Sequence, residues 1–392
     1  MKNLSFASQN LLGQPMFKVL DRVQELERAG KSVIHFEIGD PDFETPKNIV
    51  DAAKNALDNG ETHYTSSMGL YAFRESVCDT TEKSRGFLPD IDQVLITPGA
   101  NMIIYYAIRC LVDPGFEVIL PDPYFPTYRS VIEFCDAKPV YIPLREKNEF
   151  RMSPDDIRRK ITDKTRLIIV NTPHNPCGSV MTKDELDAVY EIAEEHDIYL
   201  LSDEVYSRMI YDKSGRFYSP GYRDSCKKRT IILNGFSKAF AMTGWRLGCA
   251  IGPPEVIEKM GLLLQTISSC VAPFIQRAGI AAIEDSQAQV EHMVNTYKER
   301  RNILVEGLND LPGVSCLMPG GAFYVFPNIK GTGMDDETFS KVMLEDAGVA
   351  LLPGSSFGMA GTGYVRLCYA TNKENIIEGL KRMKACLTKR RK

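Results

Sequence analysis

Five short runs rich in β-branched and aliphatic residues recur through the middle of this 392-residue chain: Val94–Thr97, Glu117–Leu120, Leu167–Asn171, Ile198–Ser202 and Thr230–Asn234. Most of the stretches between them carry apolar residues at helical spacing. Strands alternating with helices bury their apolar faces only as a mainly parallel sheet covered by helices, so the pattern predicts an α/β fold. Local signals agree. Thr45 before Pro46 reads as an N-cap followed by proline at the first helical position, with Gly60 ending that helix. Thr182 with Glu185 forms a capping-box pattern ahead of Leu186 and Val189. Residues 43–285 are therefore expected to form one large α/β domain.

The texture changes after that point. Ser286–Asn309 reads as one long polar helix. Short strands follow at Gly313–Cys316, Phe323–Phe326, Val349–Leu352 and Tyr364–Cys368, interleaved with helices at Asp335–Ala347 and Lys373–Leu387. This is an α+β pattern. The first forty residues, a helix at Met16–Ala29 and a strand at Val33–Ile38, are too few to fold alone. They are expected to pack with residues 286–392 as a smaller, discontinuous domain made of residues 1–42 and 286–392.

Composition removes several function classes. The longest uninterrupted apolar run, Met102–Ile108, has seven residues, against about 20 for a membrane span. Met1–Phe17 is broken by polar residues and Pro15, unlike a secretory signal. A formal charge of -4 argues against broad binding to nucleic acid or anionic membranes. The basic tail from Lys381 to Lys392 reads as a solvated helix end. Ten scattered cysteines without a C-x-x-C pair suit reduced thiols of a cytoplasmic protein. The five histidines show no metal-ligand spacing, so no metal is expected.

The chemistry gathers where strand-like runs end. Leu167-Ile-Ile-Val runs into Asn171-Thr-Pro-His-Asn175-Pro-Cys-Gly178, Ile198-Tyr-Leu-Leu into Ser202-Asp203-Glu204-Val-Tyr206, and Ile231-Ile-Leu into Asn234-Gly-Phe-Ser237-Lys238. Open α/β sheets bind ligands at the carboxyl ends of their strands. An amide, a carboxylate, a phenol and an amine are thus expected in one crevice. That set lacks the histidine base of a serine-type triad, and the chain has no Walker phosphate loop. It suits an aldehyde cofactor held by a lysine.

Asn175-Pro-x-Gly178, Asp203-x-x-Tyr206, Ser237-Lys238 with Arg246 in Thr243-Gly-Trp-Arg-Leu-Gly248, and Arg366-Leu-x-Tyr369 together resemble, in order and spacing, the class I and II aminotransferases that depend on pyridoxal phosphate. These are fold-type-I enzymes built like aspartate aminotransferase. The likeness runs from about Glu37 to the end of the chain. It implies that Lys238 forms the Schiff base with the cofactor and later shuttles the proton. Asp203 would pair with the pyridine nitrogen, and Asn175 and Tyr206 with the phenolic oxygen. Backbone amides of Gly99, Ala100 and Asn101 at a helix N-terminus would hold the phosphate, together with Ser237 and Arg246. Many relatives carry a serine where this chain has Gly235, so one phosphate bond is expected to be missing. Phe125 would stack on the cofactor ring, with Tyr124 the competing choice. Tyr64 would reach the phosphate of a neighbouring subunit, which implies a homodimer. Arg366 would clamp the substrate carboxylate, helped by the backbone near Gly39 and by Asn175.

The resemblance implies amino transfer between an α-amino acid and a 2-oxo acid, in amino-acid metabolism or biosynthesis. Two alternatives remain at this level. A relative of the same fold could decarboxylate, β-eliminate or cyclise an amino acid, and a non-catalytic sensor could keep the fold. No motif-anchored second arginine marks a dicarboxylate enzyme, although Arg277 lies near the region concerned.

Overall fold

The computed structural model describes residues 4–9, 11, 13–211 and 217–390. Twelve strands are found among them: β1 (Ile34–His35), β2 (Val94–Thr97), β3 (Glu117–Asp122), β4 (Lys138–Pro143), β5 (Thr165–Asn171), β6 (Tyr199–Asp203), β7 (Thr230–Gly235), β8 (Gly248–Ile251), β9 (Tyr324–Val325), β10 (Val349–Ala350), β11 (Leu352–Pro353) and β12 (Val365–Cys368). Seven of them make one sheet in the order β2-β8-β7-β6-β5-β3-β4. β8 runs antiparallel to both neighbours and the other four pairings are parallel. All five expected runs lie in this sheet, Val94–Thr97 unchanged and the other four differing by a residue or two at their ends.

The central strands are buried on both faces, from Leu167 to Val170 in β5 and from Ile231 to Leu233 in β7, which is why they read as continuous apolar runs rather than alternating ones. Two strands escape that reading. β4 lies at the sheet edge, partly exposed, with Pro139 and Pro143 in it. β8, Gly-Cys-Ala-Ile, carries little strand propensity and is held by antiparallel neighbours on either side. Because β7 and β8 are adjacent and antiparallel, the connection from Phe236 to Leu247 sits at the carboxyl end of β5 and β6. Lys238 and Arg246 both lie in that connection.

Both ends of the chain meet beside this sheet. β1 pairs in parallel with β10, Ile34 opposite Val349 and His35 opposite Ala350. Val23 and Leu26 of the Pro15–Arg28 helix pack against Leu344 and Ala350. β11, β12 and β9 form a three-stranded antiparallel sheet. The helices Ala288–Asn309 and Lys373–Arg390 share its core through Tyr297, Leu304, Ile376 and Met383.

Two local expectations fail. Gly313–Cys316 is not a strand. The Asn309 side chain accepts the Cys316 N–H at 2.9 Å and donates to the Cys316 carbonyl at 3.1 Å, so that backbone is satisfied without a ladder and only a single bridge from Ser315 to Asn328 forms. Thr45 does not cap the helix after it, which starts at Lys47 behind Pro46. Its hydroxyl donates to the Ala241 carbonyl at 2.5 Å and accepts from Trp245 Nε1 at 3.1 Å, tying down the connection that carries Lys238 and Arg246. The capping box of Thr182 and Glu185 is present as expected.

Candidate active site

β5 and β6 align so that Asn171 stands opposite Asp203, both at the carboxyl end of the sheet. Asp203 is buried. The Tyr128 hydroxyl donates to its Oδ2 and the Val205 N–H to its Oδ1 at 3.2 Å. Burial outweighs both bonds and raises the carboxyl to about 6. Among the described residues no cationic side chain pairs with it, so a cationic nitrogen at this spot would meet a carboxylate already desolvated.

Lys238 leaves the sheet on a single helical turn, Phe236–Ala239, directly after β7. Its Nζ donates to the Gly39 carbonyl at 2.6 Å. Burial lowers the ammonium to about 8, against the opposing pull of Asp40. A neutral amine, the nucleophilic form, is therefore available near neutral pH. Gly39 is required sterically: a Cβ there would collide with the Tyr324 hydroxyl. That hydroxyl lies 2.8 Å from the Tyr206 hydroxyl, and burial raises both phenols.

Arg366 on β12 is 0% exposed. Nη2 donates to the Glu37 carbonyl at 2.5 Å and Nη1 to Asn175 Oδ1 at 3.2 Å. The Tyr324 and Phe357 rings flank the guanidinium at 4.6 and 4.9 Å. Its Nε has no partner, and among the described residues no carboxylate pairs with it. A buried guanidinium without counter-charge is costly unless an anionic ligand completes it.

At the end of β2, Gly99 has φ +87° and precedes the Ala100–Leu111 helix, whose first-turn amides no helix carbonyl can satisfy. The Arg246 guanidinium lies across this turn, and a Cβ on Gly99 would come within 2.5 Å of its Nη2. Ser237 is buried, and Asn101 is half-buried in the first helical turn. Gly235, where a serine was expected from relatives, faces Ala100 so closely that a Cβ would stand 3.1 Å from the Ala100 Cβ. Phe125 is half-buried and meets Tyr128 edge-on at 5.6 Å, next to Asp203, whereas Tyr124 stacks on Tyr141 instead. Tyr64 stands apart from this cluster, 86% exposed. Arg277 is held by Glu61 at 2.8 Å.

The donor set fits pyridoxal phosphate: an unsatisfied cradle with a cation, an unpaired buried carboxylate, a lysine with a lowered pKa, and an orphaned guanidinium nitrogen. The family model "Aminotransferase class I and II" matches residues 31–383. The chain belongs to the class I and II aminotransferases. Its relatives include an aspartate aminotransferase of Pyrococcus horikoshii, 45% identical over 93% of this chain and 94% of that protein. An aromatic-amino-acid aminotransferase of Thermococcus litoralis is 41% identical over 95% of each. The solved Thermus thermophilus aspartate aminotransferase with maleate superposes with a TM-score of 0.94 at 34% identity, covering 98% of this chain and 100% of that one. This aminotransferase is a pyridoxal-phosphate-dependent enzyme of fold type I.

Sequence reasoning missed two residues of the site, Tyr128 and Tyr324. Tyr128 lies on the turn of helix next to Phe125, a visible signal, but its bond to Asp203 spans 75 positions. Tyr324 sits in Gly-Gly-Ala-Phe-Tyr, where nothing local marks it as more than a core tyrosine.

Proposed function

We propose that this aminotransferase works on its α-amino acid and 2-oxo acid with Lys238 as the reactive amine and proton carrier and Arg366 as the carboxylate clamp. The observation that carries the reading is their relation to one short segment: Lys238 hydrogen-bonds the carbonyl of Gly39 and Arg366 that of Glu37. Two residues of chain span at most about 7 Å, so the amine and the guanidinium address the two ends of one small molecule.

Pyridoxal phosphate, when bound, supplies an aldehyde for the substrate amine and a ring that draws electron density from its Cα. Asp203 would hold the protonated ring nitrogen, and Tyr128 fixes that carboxylate. Asn175 and Tyr206 would donate to the ring oxygen, Phe125 would cover the ring, and Gly99, Ala100, Asn101, Ser237 and Arg246 would hold the phosphate. Lys238 Nζ then moves the proton away from Cα. Residues 43–285 form the cofactor-holding unit, and residues 1–42 with 286–392 a second unit that supplies Arg366 and Gly39. Tyr64, exposed in the single chain, would complete the phosphate site of a second copy, so the working form is a homodimer, and the free cysteines suit the cytoplasm. No helix among the described residues is long and apolar enough to cross a membrane. Arg277 is engaged by Glu61 through Nε, so Glu61 competes there with a second carboxylate of a dicarboxylic substrate.

Lys238→Ala is expected to bind cofactor without its imine absorbance band and to lose turnover by at least about 1,000-fold. Arg366→Ala is expected to keep the band and raise KM for amino acid and oxo acid alike. A Lys238→Ala enzyme with full turnover would overturn the reading. A panel of amino acids, assayed for released oxo acid against ammonia or carbon dioxide, identifies the substrate and separates amino transfer from lyase chemistry.

A further inference from the structure

A recess of about 890 Å³ lies behind the active-site end of the sheet, where the Tyr71–Arg85 helix, the segment after β6 and the Ala288–Asn309 helix meet. None of the groups assigned above to cofactor or substrate reacts in it, although Val205 and Gly235 border both spaces. Apolar side chains of Phe236, Phe240, Ile283 and Val294 line it together with Arg85 and Arg208, and the exposed Lys83 borders it.

The two arginines are not equivalent. Arg85 is neutralised: its Nε donates to buried Glu204 at 2.6 Å and its Nη2 to Ser207 at 3.3 Å. Arg208 has no carboxylate partner among the described residues. Its Nη1 donates to Gln287 Oε1 at 2.9 Å, and its guanidinium lies 5.1 Å over the Phe240 ring. Burial, with Arg85 nearby, lowers it to about 10, the direction expected of a cation whose charge is uncompensated. Glu291, on the Ala288–Asn309 helix, is exposed at the rim and pairs with neither arginine.

We propose that this recess binds a small organic anion, a phosphorylated or carboxylated molecule with an apolar body, at a site separate from the catalytic crevice. The volume lies in the range of small-molecule sites and far exceeds a bare inorganic ion. The guanidinium, without a carboxylate partner among the described residues, supplies a forked donor for an oxyanion, and the apolar side chains beside it take the rest of the ligand.

The test uses the holoenzyme and phenyl phosphate as probe, with binding measured by titration calorimetry and its position by crystal soaking. Density is expected in the recess with the phosphate against Arg208. Arg208→Gln is expected to weaken binding at least about tenfold. Lys83→Ala, an exposed change that leaves the fold intact, is expected to weaken it several-fold, so the result stands even if Arg208→Gln fails to fold. Neither change should alter kcat/KM in the absence of phenyl phosphate. Density for phenyl phosphate only at Arg366, equal affinity in the Lys83→Ala protein, or no binding up to about 10 mM overturns the proposal.

Discussion

At the residue scale the site is built from groups held in the wrong environment for their charge. Asp203 is raised to about 6 by burial, so the native chain keeps its proton to higher pH than the unfolded chain, whose value is near 3.8. Its contribution to stability is then full below about pH 4 and is lost as pH rises through 6. Asp203→Asn removes that loss. The cofactor-free variant is expected to be more stable than the wild-type apoenzyme at pH 7.5, by on the order of 2–3 kcal/mol, and no more stable at pH 4. Urea unfolding of both apoproteins at the two pH values checks this. With cofactor bound the same substitution should lower kcat by 100-fold or more on the order of general acid-base effects. Lys238 and Arg366 were readable as chemistry from their motifs. Their environments were not: that Arg366 is fully enclosed and short of one partner depends on Phe357 and on Tyr324 and Glu37, the last two of which lie far from it in sequence.

At the element scale, the close meeting of β2, β7 and β8 with the Ala100–Leu111 helix shapes the proposed phosphate cradle. Gly99 answers two demands at once, a φ of +87° and contact with Arg246. Gly99→Ala is expected to cost about 1–2 kcal/mol of stability and to weaken cofactor binding at least about tenfold by displacing the guanidinium. Gly115→Ala separates the two effects, since Gly115 has φ +83° with open space around it: it should lose stability alone. Spectroscopic titration of each apoprotein with pyridoxal phosphate gives the comparison. The apolar strands were legible because burial on both faces leaves little freedom of composition. β4 and β8 were not, because an edge position and antiparallel neighbours can hold a segment whose own propensity is weak. Thr45 and Gly313–Cys316 show the converse: good local signals lost to Trp245, Ala241 and Asn309, partners that only the folded chain supplies.

At the scale of the whole molecule, a site assembled from both ends and the middle of the chain depends on those parts meeting. Parallel pairing of β1 with β10 carries Glu37 and Gly39 to Arg366 and Lys238. The proposed dimer adds one more dependence, and it can be tested by mixing chains. Tyr64→Ala alone should bind cofactor about tenfold more weakly, and Lys238→Ala alone should be inactive. In a mixed dimer, the site on the Tyr64→Ala chain receives an intact Tyr64 from its partner and keeps its own Lys238. Activity and cofactor affinity above those of either parent are expected; no recovery in dimers of verified mixed composition would exclude a shared site. The sequence by itself determined the strand-and-helix alternation, the chemical groups at the strand ends and the family, because hydrophobic periodicity and motif spacing are local properties of a chain. Only the tertiary structure decided which groups lack partners, since burial and the absence of a counter-charge arise between residues tens to hundreds of positions apart. The open nitrogen of Arg366 and the unneutralised Arg208 belong to that second kind.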